Sequence, residues 1–214
     1  MTFSEIVQLM GFLSPAVLLV GLCIGFYYFK SLNLIHKAIT WYLLILLIVD
    51  ITSRIFAYFG NNLFVLLVYS LIELVVFVYF YYKYIFKARH RLVLGLSIAG
   101  VLYIIWEILV FKIDVKQFQT YAKVVDDFIV ITLVLSFFHE KINIFKESKW
   151  DNFRLNAVIL FFFSVNLIFF LPYNFIINKS AGLQFYFWLG ILIITVLFYL
   201  FLIYSIWKNG RILK

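Results

Sequence analysis

Cysteine is almost absent from this sequence, since Cys23 is the only one among 214 residues. A single cysteine cannot form an intrachain disulfide, which excludes a small disulfide-stapled scaffold. Charged residues are also scarce, at 13% of the chain against about a quarter in ordinary soluble domains. Because 66% of the residues are apolar and the mean hydropathy is +1.07, the chain has too little polar surface to cover a soluble globule.

The apolar residues instead form long runs separated by short polar clusters. A helix that crosses a bilayer needs about 20 residues, each rising about 1.5 Å. We therefore predict an all-α polytopic membrane protein, a single seven-helix bundle over residues 1–214. The predicted spans are about 7–29, 38–59, 63–86, 92–111, 117–138, 153–177 and 183–206. These seven crossings leave only short termini and loops, so we expect no folded domain outside the membrane.

The chain has only two prolines, Pro15 and Pro172, and both fall inside predicted spans. Membrane helices tolerate proline as a kink, because neighbouring groups bind the carbonyl that proline leaves without a partner. The first five residues contain no Lys or Arg, and no small-residue cleavage site follows the first apolar run. We therefore expect no cleavable signal peptide, and the first span is expected to be retained.

Basic residues are distributed unevenly between the two sides of the predicted spans. Alternate loops and the C-terminal end hold thirteen Lys and Arg, whereas the opposite loops hold three, Lys112, Lys116 and Lys179. Cytoplasmic loops of membrane proteins carry the excess of Lys and Arg, so we predict an outside N-terminus and a cytoplasmic C-terminus. This distribution explains the net charge of +8 without nucleic-acid binding. The short termini favour a bacterial plasma (inner) membrane.

Eight polar or ionisable side chains fall inside the predicted spans. A charged side chain at the bilayer centre costs about 2.5–3.5 kcal/mol on insertion scales, and such side chains usually mark functional sites. Counted from the span ends, they lie in the middle and outer half, which predicts an outward-facing polar pocket for a small ligand or cation. They are Asp50, Arg54, Glu73, Glu107, Lys123, Asp126, Asp127 and Asn166.

Spacing along the helices predicts local pairs within this set. Asp50 precedes Arg54 by four residues, and Lys123 precedes Asp126 and Asp127 by three and four, so each group shares a helix face. Such pairs are either structural clasps or parts of a site, and spacing alone leaves both open. Adjacent helical residues point about 100° apart, so we expect that Asp126 and Asp127 cannot both face one spot.

The remaining members differ in what they predict. Glu73 has no expected partner in its own helix, which favours a functional role, and Tyr69 lies on the same face. Asn166 is typical of a side chain that hydrogen-bonds between membrane helices. The seven ionisable groups sum to a charge of −3. Either some of the acids are protonated, or the pocket holds a cation, or Glu107 and one aspartate are hydrated at the interface.

Several chemistries find no support in the sequence. Seven spans with an outside N-terminus resemble the topology of retinal proteins and G-protein-coupled receptors, but span seven has no lysine for a Schiff base. His36, His90 and His139 all fall at the predicted cytoplasmic boundary, without the spacing of metal ligands. No serine–histidine nucleophile arrangement is visible, and we expect no metal and no cofactor.

Three functional hypotheses follow. The favoured one is a sensory or receptor-type module that binds a small ligand or cation and signals to a cytoplasmic partner through the loop at 139–152. The second is a proton- or cation-coupled transporter of small solutes. The third is an intramembrane lipid-modifying enzyme with Glu73 or Asp127 as general base. The enzyme is the least favoured of the three, because no nucleophile or metal set supports it.

Overall fold

A computed structural model describes residues 3–59, 62–110, 120–143, 152–172 and 181–212. Over these ranges the protein forms seven α-helices and no strand, which confirms the predicted all-α fold. The helices are α1 Phe3–Tyr27, α2 Leu34–Tyr58, α3 Leu63–Phe80, α4 Arg91–Val110, α5 Ala122–Asn143, α6 Phe153–Phe170 and α7 Ala181–Ile212. A five-residue π turn, Tyr81–Ile85, continues α3.

Five of these segments are long and apolar enough to cross a membrane. They are Leu34–Tyr58, Leu63–Ile85, Arg91–Val110, Phe153–Phe170 and Tyr186–Ile212. Within α1, Gly11–Tyr27 is a shorter apolar helical segment. Helix α5 is not among the five, because every 18-residue stretch of it holds more than two Asp, Glu, Lys or Arg. Its ionisable residues are therefore the feature that separates α5 from the other helices.

Several predicted boundaries are wrong, among them the end of α7, which lies at Ile212 rather than near 206. Helix α5 begins at Ala122 rather than near 117, so Asp126 and Asp127 lie only in its second turn. Helix α6 ends at Phe170 rather than near 177, and Pro172 lies in the turn that follows. Proline has no N–H with which to continue a helix, so Pro172 follows the end of α6 instead of kinking it. Residues 139–143 of the predicted cytoplasmic loop belong to α5, and 144–151 lie outside the described residues.

The chain divides into two compact units. Unit 1 comprises Met1–Gly60 and Tyr186–Lys214, with α1, α2 and most of α7, and unit 2 comprises Asn61–Phe185, with α3 to α6. The prediction of one domain stays a prediction. In unit 1, a Cβ added at Gly25 would lie 2.6 Å from Thr40 Cγ2, so glycine allows α1 and α2 to approach closely.

Helix α5 is the centre of unit 2, since it packs against α3, α4 and α6. Its middle contributes a buried apolar face that includes Ile129, Val130, Leu133 and Val134. Ionisable residues occupy the same buried helix one to two turns earlier. The packing that buries the apolar face therefore also removes these ionisable groups from solvent.

Candidate functional site

Helices α3 and α5 bring four ionisable side chains together inside unit 2. Glu73 comes from α3, and Lys123, Asp126 and Asp127 come from the first two turns of α5. Their exposed fractions are 1%, 3%, 0% and 0% respectively. We refer to these four residues as the charged cluster. It unites four of the eight residues that the sequence singles out, in a buried rather than a solvent-open position.

The ammonium group of Lys123 lies at the centre of the charged cluster. Its Nζ donates hydrogen bonds to Glu73 Oε2 and, over 2.6 Å, to Asp126 Oδ2. Asp127 Oδ1 forms an ion pair with the same Nζ at 2.8 Å. The expectation that both aspartates cannot face one spot is therefore wrong. Residues three and four positions after a lysine flank its helix face from either side, and its long side chain reaches between them.

Aromatic rings complete the wall around the ammonium. The Tyr69 ring centroid lies 5.3 Å from Lys123 Nζ, and the Phe163 ring of α6 lies 5.2 Å from it. Both distances fit cation–π interactions, which are stronger where water is excluded. The Tyr69 hydroxyl also donates to Glu73 Oε1 at 2.5 Å, so Glu73 does have a partner in its own helix. Helix α6 thus closes the cluster with an apolar side chain.

Three buried oxygens of unit 2 have no hydrogen-bond donor among the residues that the structure describes. Asp126 Oδ1 and Asp127 Oδ2 are buried and find no donor among the described residues. Asn166 Oδ1 on α6 is also buried and has no donor among the described residues, and the Asn166 residue is 4% exposed. Asn166 lies three residues after Phe163, so the two share a face of α6. Buried acceptors without donors are rare, because each loses its hydration without compensation.

The charge of the cluster is also unbalanced. Three carboxylates and one ammonium sum to −2 when all four groups are ionised. Carboxylate oxygens of Glu73, Asp126 and Asp127 lie within 4.8 Å of one another, close enough to bind a single cation. Buried charge without compensation is strongly unfavourable. The arrangement can therefore bind additional positive charge, either as protons on the carboxylates or as a cation between them.

Glu107 lies apart from the cluster and has a different set of contacts. Its carboxylate accepts hydrogen bonds from the Tyr103 hydroxyl at 2.6 Å and from the Thr120 hydroxyl at 2.5 Å. It also accepts from the backbone N–H groups of Tyr121 and Ala122, both at 3.0 Å. Since the first N–H groups of a helix lack partners within the helix, Glu107 caps α5. It thereby fixes the start of α5 immediately before Lys123.

Asp50 and Arg54 belong to unit 1, where they pair as the spacing predicts. Arg54 Nε donates to Asp50 Oδ2 at 2.8 Å. Arg54 Nη2 donates over 2.5 Å to the carbonyl of Gly11, and the guanidinium lies over the Phe12 ring. Gly11 is the residue four positions before Pro15, so its carbonyl has lost its usual helical donor. The geometry of the pair is that of a structural clasp, in which Asp50 holds Arg54 against the α1 carbonyl that Pro15 leaves without a donor.

Two polar networks were not found by sequence reasoning. Buried Glu140 accepts from the backbone N–H of Lys87 at 3.0 Å, and its other oxygen lies 3.0 Å from His90 Nε2. This joins the end of α5 to the α3–α4 connection. The second network joins two residues that no sequence pattern pairs, because His36 Nε2 lies 3.0 Å from Ser205 Oγ. These partners are 50 and 169 residues apart, so no local spacing signals them.

Comparison with known proteins adds no further assignment: no protein family, curated protein or solved structure matches this chain.

Proposed function

We propose that this protein is a membrane carrier that couples the movement of a small solute to cations, foremost protons, bound at the charged cluster. The observation that carries the proposal is the buried group of three carboxylates around one ammonium, with exposed fractions of 3% or less. Ionisable residues within membrane helices commonly serve as proton relays and ion sites.

The charge deficit supports a site that is loaded with positive charge. Lys123 compensates one carboxylate, and two further positive charges would make the cluster neutral. The oxygens that lack donors among the described residues, Asp126 Oδ1 and Asp127 Oδ2, provide positions for protons. Carboxylate and amide oxygens are also ligands for hard metal cations, so a small metal cation would satisfy the same atoms.

Lys123 can keep the site stable both when protons or a cation are bound and after they are released. Its ammonium contacts all three carboxylates, so it can remain paired with one of them in either state. A buried acid without any cation would make the unloaded state prohibitively unstable. The Lys123 ammonium lowers the free-energy cost of the unloaded state, and it leaves some carboxylate oxygens able to bind protons or a cation. We therefore assign Lys123 the role of a fixed counter-ion, and the three acids the role of the exchangeable site.

The decisive experiment measures flux and carboxyl protonation in the same preparation. The full chain is reconstituted in liposomes that contain a trapped pH-sensitive dye, and a pH gradient is imposed. We expect the wild-type protein to show a slow proton flux that proceeds without the co-transported solute. Asp127→Asn should reduce this flux at least about tenfold, because the amide cannot exchange a proton. Asp50→Asn is the matched control, since Asp50 belongs to the Arg54 clasp in unit 1 and should retain flux.

Two other outcomes would redirect the proposal. Flux that depends on sodium rather than on the pH gradient would identify a metal cation as the coupling ion. Infrared absorption by protonated carboxylic acids, lost in Asp127→Asn but without any flux, would favour the sensory hypothesis, in which the loaded site signals to a cytoplasmic partner. Equal flux in the wild type and in Glu73→Gln, Asp126→Asn and Asp127→Asn would refute a coupling role for the cluster.

A further inference from the structure

A second set of polar side chains lies in unit 1, where α2 begins and α7 approaches its end. Asn33 is the N-cap of α2, and His36 follows in its first turn. His36 Nδ1 lies 2.7 Å from Asn33 Oδ1, and His36 Nε2 lies 3.0 Å from Ser205 Oγ on α7. The order is therefore hydroxyl, imidazole and amide oxygen, all within hydrogen-bond distance. This is the relationship of a nucleophile, its general base and the group that orients the base.

The N-cap fixes which imidazole nitrogen carries the proton. Asn33 Oδ1 accepts the backbone N–H of His36 at 2.9 Å, so the side-chain atom at this position must be the amide oxygen. An oxygen of an amide cannot donate, so Nδ1 must be the donor in its 2.7 Å contact with that oxygen. In neutral imidazole Nε2 is then the acceptor, and it faces the Ser205 hydroxyl. The fold thus holds His36 in the tautomer that can remove a proton from Ser205.

We propose that Ser205 is a nucleophile for acyl transfer, with His36 as general base and Asn33 as a positioning residue, and that the substrate class is the acyl esters of membrane phospholipids. His36 is buried, while Ser205 is partly exposed, so the base is protected and the nucleophile is accessible. Catalysis of this kind needs no metal and no cofactor. This proposal is independent of the charged cluster, because Asn33, His36 and Ser205 all belong to unit 1 and the charged cluster belongs to unit 2.

The position along the helices favours a lipid ester as the substrate. His36 lies two residues after the start of α2, and Ser205 lies seven residues before the described end of α7, about 10 Å along the axis. Helix ends of a membrane protein lie near the boundary of acyl chains and headgroups, where the ester bonds of phospholipids also lie. Lys30, Lys208 and Arg211 are exposed near these ends and would attract anionic headgroups.

The reaction balances without any further reagent than water. Ser205 Oγ forms a bond to the ester carbonyl carbon, while its proton passes to His36 Nε2. The ester C–O bond then breaks, and the lysolipid alcohol leaves with the proton from Nε2. Water attacks the acyl-serine, gives its proton to Nε2, and releases the fatty acid as the proton returns to Oγ. Asn209 Oδ1 accepts the Asn33 backbone N–H at 3.2 Å, which joins α7 to the residue that orients His36.

The test uses the full chain in lipid nanodiscs that contain phosphatidylglycerol, with a fluorescent fluorophosphonate as the probe. Attack by Ser205 on the phosphorus expels fluoride and leaves a stable label. We expect mass spectrometry of the wild type to locate the label on Ser205 and Ser205→Ala to abolish it. His36→Gln should slow labelling by about 100-fold, within the usual contribution of a general base. Ser136→Ala is the matched control, since that hydroxyl donates to the Thr132 carbonyl of its own helix.

Asn33 is tested by separating its two contacts. Asn33→Asp keeps both the N-cap and an acceptor for Nδ1 and should label like the wild type. Asn33→Ser keeps a good N-cap but has too short a side chain to reach Nδ1 as well, so labelling should slow while the melting temperature is retained. If the network is purely structural, any slower labelling of Asn33→Ser will instead be accompanied by a lower melting temperature.

A second experiment uses a lipid substrate and measures the release of a fluorescent fatty acid from acyl-labelled phosphatidylglycerol. This release should disappear in Ser205→Ala. Folded wild-type protein that is not labelled, or is labelled elsewhere than Ser205, overturns the proposal. Labelling of Ser205 without release of lipid fatty acid overturns the assigned substrate class. Because the position of the label is determined in the wild type itself, the test remains decisive even where a variant does not fold.

Discussion

The contact between Arg54 and the proline site of α1 provides the most direct test of how unit 1 is stabilised. The Arg54 guanidinium donates to the Gly11 carbonyl, which Pro15 leaves without a helical donor. Hydrogen bonds to charged groups contribute about 1.5–3 kcal/mol. Since the Arg54 side chain is 38% exposed, competing water places the contact at the lower end, about 1.5 kcal/mol.

A double-mutant cycle isolates this contact from the others that Arg54 makes. Arg54→Met removes the donor and also leaves Asp50 without its cation, whereas Pro15→Ala restores a backbone N–H to the Gly11 carbonyl. In the wild-type background we expect Arg54→Met to lower the free energy of unfolding by about 2 kcal/mol. In the Pro15→Ala background the Asp50 loss remains but the carbonyl keeps a donor, so the cost should fall by about 1.5 kcal/mol, the value of the Gly11 contact.

The assay is reversible unfolding in mixed detergent micelles, followed by circular dichroism for the wild type, both single variants and the double variant. Arg54→Lys is a useful control, since its ammonium keeps the charge near Asp50 but lacks the fork that reaches two acceptors at once. An equal cost of Arg54→Met with and without the Pro15→Ala substitution would show that the Gly11 contact contributes nothing. The assignment of Arg54 as a clasp for the proline site would then be refuted.

Three further predictions concern unit 2. Lys123→Met should lower the free energy of unfolding by about 3–5 kcal/mol, because it leaves buried acids without their cation, and Glu73→Gln added to it should recover part of that loss in the same unfolding assay. Glu107→Gln should cost about 1–2 kcal/mol and speed hydrogen exchange at the first amides of α5, because an amide is a weaker acceptor than a carboxylate; unchanged exchange there would contradict the capping role. Gly100→Ala should destabilise by about 1–3 kcal/mol, since the added Cβ would overlap Ile129, and Ile129→Val should reduce that cost.

The fold class could be predicted from the sequence because it depends on composition and on the length of apolar runs. Local pairs were also predictable, since Asp50–Arg54 and the pairing of Lys123 with an aspartate of its own helix depend only on helical spacing. The simultaneous contact of Lys123 with both aspartates was missed, because the reach of the lysine side chain was left out of account. The start of α5 was missed by about five residues, because the hydrogen bonds that place it come from the side chain of Glu107 on another helix.

Contacts between helices could not be predicted, because they depend on how each helix is rotated about its axis. Glu73 and Lys123 are 50 residues apart, and no periodicity shows that they face each other. The partner of Arg54 is a partial exception. Proline removes the donor for the carbonyl four residues before it, so Gly11 was identifiable as an acceptor in need of a partner. Only the choice of Arg54 as that partner required the structure.

The other polar groups show why the charged cluster stands out. Glu107 accepts four hydrogen bonds, and the carboxylate of Glu140 accepts from two backbone N–H groups and lies against His90. This chain can therefore supply a carboxylate with all the donors that it needs. In the charged cluster, by contrast, three acids share one ammonium while Asp126 and Asp127 keep oxygens without donors among the described residues. Helix α5 has Glu107 at its start and the charged cluster in its next turns, so a satisfied and an unsatisfied carboxylate site lie on adjacent turns of one helix. Uncompensated buried charge is strongly unfavourable, which is why we propose that protons or a cation fill the cluster.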